Sequence, residues 1–416
     1  MKMNTIESRD HTMKGARSIL IVLTIINLFN YIDRYVLSAV LEPLKEELNI
    51  TDDGDLGRLA TAFMLGYFLT SPIFGYLGDK FSRKKLMVIG IIGWSLGTCL
   101  TGIAQAFSFM IFCRVLVGLG EASFGAIGPA VISDAFDKSR RNNAMTIFYL
   151  AVPLGAAIGF TLGGLIASSW GWREAFIFAG LPGFLLALIL LFVPEPTRGQ
   201  SDGIVESKKL DRETFKALFK NQEYLLAVGG YIFYTFSMGA FSFWGPAFLS
   251  RVHELNVKES SMFFGPALVV TGILGTVIGG FMANKWQVRS NGGYAKLLSF
   301  SVLIAAPFSY YAFITEDVLI CMVSISISLL FLFMCTGPIN TVIMNVVPSY
   351  TRSTAMAIAI FSIHAFGDLW SPEIIGRTSD AIGNLRNAML ILPTSFIFSG
   401  IVWFYLFRKQ NNSSAV

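Results

Sequence analysis

The sequence predicts an all-α membrane protein of twelve transmembrane helices, arranged as two pseudo-symmetric bundles of six. Three observations carry that reading. The 416 residues are 54% hydrophobic and only 14% charged, with a mean hydropathy of +0.60, whereas soluble domains carry about 25% charged residues. Apolar runs close to the ~20 residues that span a bilayer as a helix recur along the chain, without the short alternating segments of a closed β-barrel. The second half of the chain also repeats landmarks of the first.

Polar loops separate the expected spans. The first, 18–41, follows a short charged stretch, is too long for a signal h-region and has no clear cleavage site after it. The second, 56–78, closes on the basic loop 80–85; 86–106 follows. The fourth, 108–133, carries Arg114 and Glu121. The fifth, 144–168, holds Gly155, Gly159, Gly163 and Gly164, small-residue faces that permit close helix contact and a rocking interface. The sixth, 174–194, ends at Pro194-Glu195-Pro196. The polar connection 195–222 reads as a linker between units 1–194 and 223–416. Beyond it come 223–250, rich in aromatic residues, then 259–283, 296–314 and 318–346, the last with Gly337-Pro338. The eleventh, 354–376, carries His364 and Asp368, and Pro372 makes a bend there. The twelfth, 386–407, runs into Arg408 and Lys409.

Most of the 32 Lys and Arg fall in the loops that share a side with the two termini. Basic loops stay cytosolic, so both termini are expected in the cytosol. The same scatter along one membrane face excludes nucleic acid as the meaning of the +5 charge. Cys99, Cys113, Cys321 and Cys335 lie within spans, without metal or disulfide spacing, and read as small apolar side chains. No phosphate-binding loop with a terminal Lys-Ser/Thr is present, so neither ATP nor another cofactor is implied. No nucleophile–His–acid arrangement suggests an enzyme.

The internal repeat is visible at three places. Arg141-x-x-Ala144-Met145-x-Ile147 opens the fifth span, and Arg352-x-x-Ala355-Met356-x-Ile358 opens the eleventh. Gly128-Pro129 in the fourth matches Gly337-Pro338 in the tenth. Asp79 and Asn284 stand in register in the loops after the second and eighth. Three matches at a nearly constant offset indicate duplication of a six-helix unit, and parallel six-helix repeats about a membrane-normal axis are a known transporter architecture.

The loop Gly75-Tyr-Leu-Gly-Asp79-Lys-Phe-Ser-Arg83-Lys84-Lys85 resembles the loop between helices two and three of major facilitator transporters. Arg114-x-x-x-Gly118-x-Gly120 resembles a second motif of that superfamily. The resemblance implies alternating access around a central cavity and a monomeric protein. It also implies a cytosolic latch at Asp79, Arg83 and Lys84, although a Gly is usual where Ser82 stands. Arg34 joins this group as a helix-junction residue. Two stretches further resemble the Spinster branch: Asn30-Tyr-Ile-Asp33-Arg34, and Val347-Pro348-x-x-x-Arg352 followed by His364-x-x-Gly367-Asp368-x-x-Ser371-Pro372-x-x-Ile375-Gly376-x-x-Ser379-Asp380. That resemblance implies a proton-linked carrier of lysophospholipids or sphingosine-type phospholipids. The economy of the chain suggests a bacterial inner membrane.

Each charge at the centre of a membrane helix costs ~2.5–3.5 kcal/mol on insertion scales, so ionisable groups there are functional by default. By helical rise, Asp33 and Arg114 lie at similar depth and are expected to pair, with Glu121 about 10 Å deeper on nearly the same face of its helix as Arg114. Asp33 and Glu121 are the expected titrating groups, and Arg114 their switch or the contact to an anionic headgroup. The competing reading is a static network that fixes helices one and four. His364 and Asp368, four apart, share a face and read as a proton relay, a headgroup contact or a satisfied polar pair.

In the superfamily, helices one, four, seven and ten line the cavity. Asn30, Tyr31, Tyr231, Tyr234, Trp244 and Asn340 are therefore expected substrate contacts beside Arg114, joined by His364 and Asp368 of the eleventh span, with the aromatic seventh helix suited to an acyl chain. A small organic anion is the alternative cargo. A non-transporting sensor would be expected to carry a sizeable cytosolic extension.

Overall fold

The computed structural model describes residues 12–198, 216, 218–348 and 351–412. The first half runs α1 (Ala16–Ala39), the short α2 (Leu41–Glu47), α3 (Asp53–Lys80), α4 (Arg83–Gly102), α5 (Phe107–Ala135), α6 (Lys138–Ser169) and α7 (Trp172–Leu191). The second half runs α8 (Gln222–His253), α9 (Val257–Arg289), α10 (Gly293–Ile314), α11 (Val318–Phe333), α12 (Thr336–Asn345), α13 (Arg352–Ile363), a π-helical turn (His364–Asp368), α14 (Ser371–Ile382), α15 (Leu385–Met389) and α16 (Ile391–Asn412). Much of the expected linker, and the Arg352 side chain, lie outside the described residues.

Among the described residues, eleven stretches are long and apolar enough to cross a membrane. The expected eleventh span is the exception, because it is broken by the π turn. The expected tenth span is also divided, into α11 and α12. A proline follows the break in both places, although Pro129 lies inside the unbroken α5. Pro338 and Pro372 sit in the first turn of α12 and α14, where the missing amide costs nothing but the preceding helix cannot continue through it unchanged.

Helix pairing repeats between the halves. In the first, α3 packs on α5, α4 on α7 and α1 on α6; in the second, α9 packs on α11, α10 on α16 and α8 on the π turn. Small residues set the closest approaches. A Cβ on Gly118 would lie 2.0 Å from the Phe63 carbonyl oxygen, so only glycine lets α5 sit this near α3. The four glycines of α6 divide. Gly155, Gly159 and Gly163 pack on α1 inside their own half, whereas Gly164 alone meets the other half, at Ser261 of α9.

The halves meet along two seams, α3 with α14 and α6 with α9. Both are tight on the face that carries α2 and the start of α3. A Cβ on Gly57 would lie 2.5 Å from Glu373 Cα, and one on Gly265 would lie 2.6 Å from the Ala157 oxygen. Toward the face of the termini the same helices lose contact. Gly75 of α3 and Gly280 of α9 have nothing within 4 Å of a Cβ position, and Tyr76 and Phe281 are exposed. The tight contacts between the halves thus gather on the face of α2 and the start of α3.

Candidate functional site

Four charged side chains from α1 and α5 meet inside the first half. Arg34 Nε donates to Glu121 Oε2 at 2.5 Å, with the Glu121 side chain fully buried. The Arg34 guanidinium also stands over the rings of Tyr31, Phe63 and Tyr67 at 5.0–5.1 Å, and Arg114 shares the Phe63 ring at 4.8 Å. Arg34 is thereby corrected from a helix-junction residue to the ion-pair partner of Glu121. The cause is geometry: Arg114 and Glu121 are two turns apart on α5, about 10 Å, while α1 brings Arg34 level with Glu121.

Asp33 points away from Arg34, as successive helical residues must at about 100°. Its Oδ2 accepts the hydroxyl of Thr98 on α4. No ion pair within 4 Å joins Asp33 to Arg114, so the expected pair is absent. Two buried polar atoms here, Asp33 Oδ1 and Arg114 Nε, lack hydrogen-bond partners, and the Asn30 amide turns toward the Glu121 carboxylate. Unsatisfied buried groups are costly and mark a place that takes up protons, water or a polar ligand group.

On the facing half, His364 Nδ1 and the Asp368 carboxylate are 2.9 and 3.1 Å apart, across the π turn. Gly239 of α8 lets Asp368 in, since its Cβ position lies 2.5 Å from Asp368 Cβ. Tyr231, and Tyr35 of α1, lie within electrostatic reach of Asp368. Asn340 is partly exposed and turns its amide to the Thr336 oxygen of its own helix. Two expected cavity residues are elsewhere. Tyr234 donates to the Leu332 oxygen at 3.0 Å and packs on Phe396 and Trp403 in the core of the second half. Trp244, fully buried, donates to the Pro372 oxygen at 2.8 Å beneath the closed face.

The expected latch residues bind within the first half. The Arg83 guanidinium donates to Asp134 of α5, and Lys84 donates to the Leu191 and Val193 oxygens. Glu195 takes Ser82 Oγ and the Arg83 amide, each at 2.7 Å. Asp79 is exposed. The bridging charges are on the opposite face. Arg251, at the end of α8, donates to Asp53 at 2.7 Å and to Glu42 at 2.7 Å, and Lys45 reaches Asp53 at 2.6 Å. Burial pushes the Glu42 carboxyl above its ordinary range, against the opposing pull of Arg251. The signal for this cluster was in the sequence: acidic residues opening the second span, a cation closing the aromatic span, and Ser379-Asp380 after the eleventh.

Residues 23–372 match the family described as Major Facilitator Superfamily. The chain is 32% identical to Protein spinster of Drosophila melanogaster over 87% of its own length and 61% of that protein. It is 32% identical to the sphingosine-1-phosphate transporter SPNS2 of Danio rerio, covering 87% of this chain and 75% of that one. The crystal structure of a bacterial homologue of the human lysosomal transporter Spinster, in an inward-facing and unoccupied conformation, superposes with a TM-score of 0.87 at 22% identity, over 96% of this chain and 98% of that one.

Proposed function

Since the chain belongs to the Major Facilitator Superfamily, in its Spinster branch, we propose that it works by alternating access as a proton-coupled transporter of a lysophospholipid or sphingosine-phosphate-like amphipathic anion. The observation that carries the reading is the buried cluster of Asp33, Arg34, Arg114 and Glu121. Glu121 has a guanidinium partner, Asp33 has only a hydroxyl, and Arg114 has no counter-ion within 4 Å. A nearby cation favours the carboxylate and burial disfavours it. An anionic headgroup that engages Arg34 would release Glu121 to take a proton, and one that engages Arg114 would bring negative charge beside Asp33. Substrate and the carboxylates thus compete for the same two cations, and a carboxylate that loses its cation takes up a proton, which is the coupling.

In this reading residues 1–194 and 223–416 are the rocking units and 195–222 joins them. The terminal face is cytosolic, the membrane is the bacterial inner membrane, and the monomer is the transporting unit. Asn30, Tyr31, Tyr231, Asn340, His364 and Asp368 line the substrate path. Placement of Tyr234 and Trp244 in the core shortens the expected aromatic wall, which favours a small organic anion as the second candidate cargo.

The test is transport by purified protein in liposomes loaded with fluorescent lysophospholipid under an imposed pH gradient. Movement faster than in protein-free vesicles, lost in Asp33→Asn, is expected. Full gradient-driven transport by Asp33→Asn would overturn the coupling role. Proton flux triggered by small organic anions, with no lysolipid movement, would replace the lipid cargo by an anion.

A further inference from the structure

The first amides of a helix have no partner within it and need a cap. At α3 the resident N-cap is Asp52, yet its side chain accepts no amide hydrogen bond. The amides of Asp53 and Gly54 go instead to Asp380, at 2.7 and 2.8 Å, one to each carboxylate oxygen. Asp380 belongs to α14, in the other half of the molecule. The carboxylate also sits where the helix dipole favours negative charge.

The approach is built into the seam. A Cβ on Gly376 would lie 2.3 Å from the Asp53 oxygen, so α14 reaches the end of α3 only through glycine. The Asp53 side chain is occupied separately, by Lys45, Arg251 and, at 2.8 Å, the Ser379 hydroxyl. Asp52, exposed and unengaged, stands one residue before the amides in question.

We infer that α3 exchanges its cap during the transport cycle: Asp380 caps it across the seam when this face is closed, and Asp52 caps it when the halves part. The two aspartates then bias the conformational equilibrium in opposite directions. The inference needs the halves to separate on this face but is independent of cargo and of protons.

The reporter is Ser261→Cys, in a background whose native cysteines are replaced. Ser261 is fully buried on the other seam of the same face, against Gly164, so labelling by a water-soluble maleimide reads opening without touching the cap. An N-cap lost to alanine typically shifts an equilibrium about fivefold. Asp380→Ala should therefore label about fivefold faster than the parent, and Asp380→Asn, which keeps one acceptor oxygen, at an intermediate rate. Asp52→Ala should label more slowly than the parent, and the double variant should return toward it. Parent-like rates in both Asp380 variants, or Asp52→Ala moving the same way as Asp380→Ala, would overturn the exchange. Neither arm uses transport, so a failed cargo assignment leaves the result readable.

Discussion

The Glu121 carboxylate is held by Arg34 of the neighbouring helix, at 2.5 Å, and not by Arg114 of its own. Arg114 is left with an aromatic ring and no counter-ion within 4 Å. A buried carboxylate with a single guanidinium partner and an idle cation nearby is a three-body arrangement with two satisfied forms. In the proposed cycle, substrate binding would select between them.

Removing either member of the pair should weaken the protein strongly. Breaking a buried ion pair costs about 3–5 kcal/mol because the remaining charge has no partner, and the 23% exposure of the Arg34 side chain places Arg34→Ala toward the lower end. Glu121→Gln should lower the melting temperature in detergent, and Arg34→Met with Glu121→Leu should recover much of the loss. Additive losses in the double variant would show that the two side chains do not act as a pair.

Tyr234→Phe should act on folding and leave cargo affinity unchanged. It removes one of two hydrogen bonds to the Leu332 oxygen, which keeps the Cys335 amide at 3.0 Å, a loss of about 0.5–1.5 kcal/mol. Thermal stability should fall while the substrate concentration for half-maximal transport stays at the parent value. A several-fold change in that concentration would return Tyr234 to the cavity.

The sequence made the helices legible because span length and hydropathy are local properties. It was much less informative about azimuth. The seventh span is aromatic on every side, so nothing periodic separates Tyr231, within electrostatic reach of Asp368, from Tyr234 in the core. Depth arithmetic placed Asp33 and Arg114 at one level but could not see Thr98 on α4 competing for Asp33. Asp53, Arg251 and Asp380 each lie at a helix end, where charges are ordinarily solvated. Only the packing of α3 on α14 makes them a bridge.

Mild acid, above the range in which Asp53 takes a proton and loses its pairs with Arg251 and Lys45, should favour closure of the Asp53 face. Glu42 is raised above its ordinary range in the closed form, so that form holds its proton more tightly. The contribution to closure is therefore full below the ordinary Glu range and is lost as pH rises through the raised value. Labelling of Ser261→Cys, corrected for thiolate fraction, should slow on acidification. Glu42→Gln should flatten the profile, and an unchanged slope in that variant would assign the effect elsewhere.

Gly118→Ala tests the fit between α3 and α5. The added methyl would lie 2.0 Å from the Phe63 oxygen, and overpacking of this kind typically costs about 1–3 kcal/mol. The same shift would move Phe63 from beneath the Arg34 and Arg114 guanidiniums. Stability and coupled transport should fall together. A variant with parent stability would mean that α3 can retreat without cost.

The π turn carries one residue more than an α-helix would use over the same rise, with the Leu369 amide reaching back five residues to the His364 oxygen. Everything after it is therefore phased by a single insertion. Rewinding the turn as α-helix with every residue kept would rotate residues 371–382 by about 100° relative to α13. That rotation would turn Gly376, Ser379 and Asp380 off the end of α3 in one step, without changing any of them. The register of the seam is thus set by the winding of a turn some distance from it.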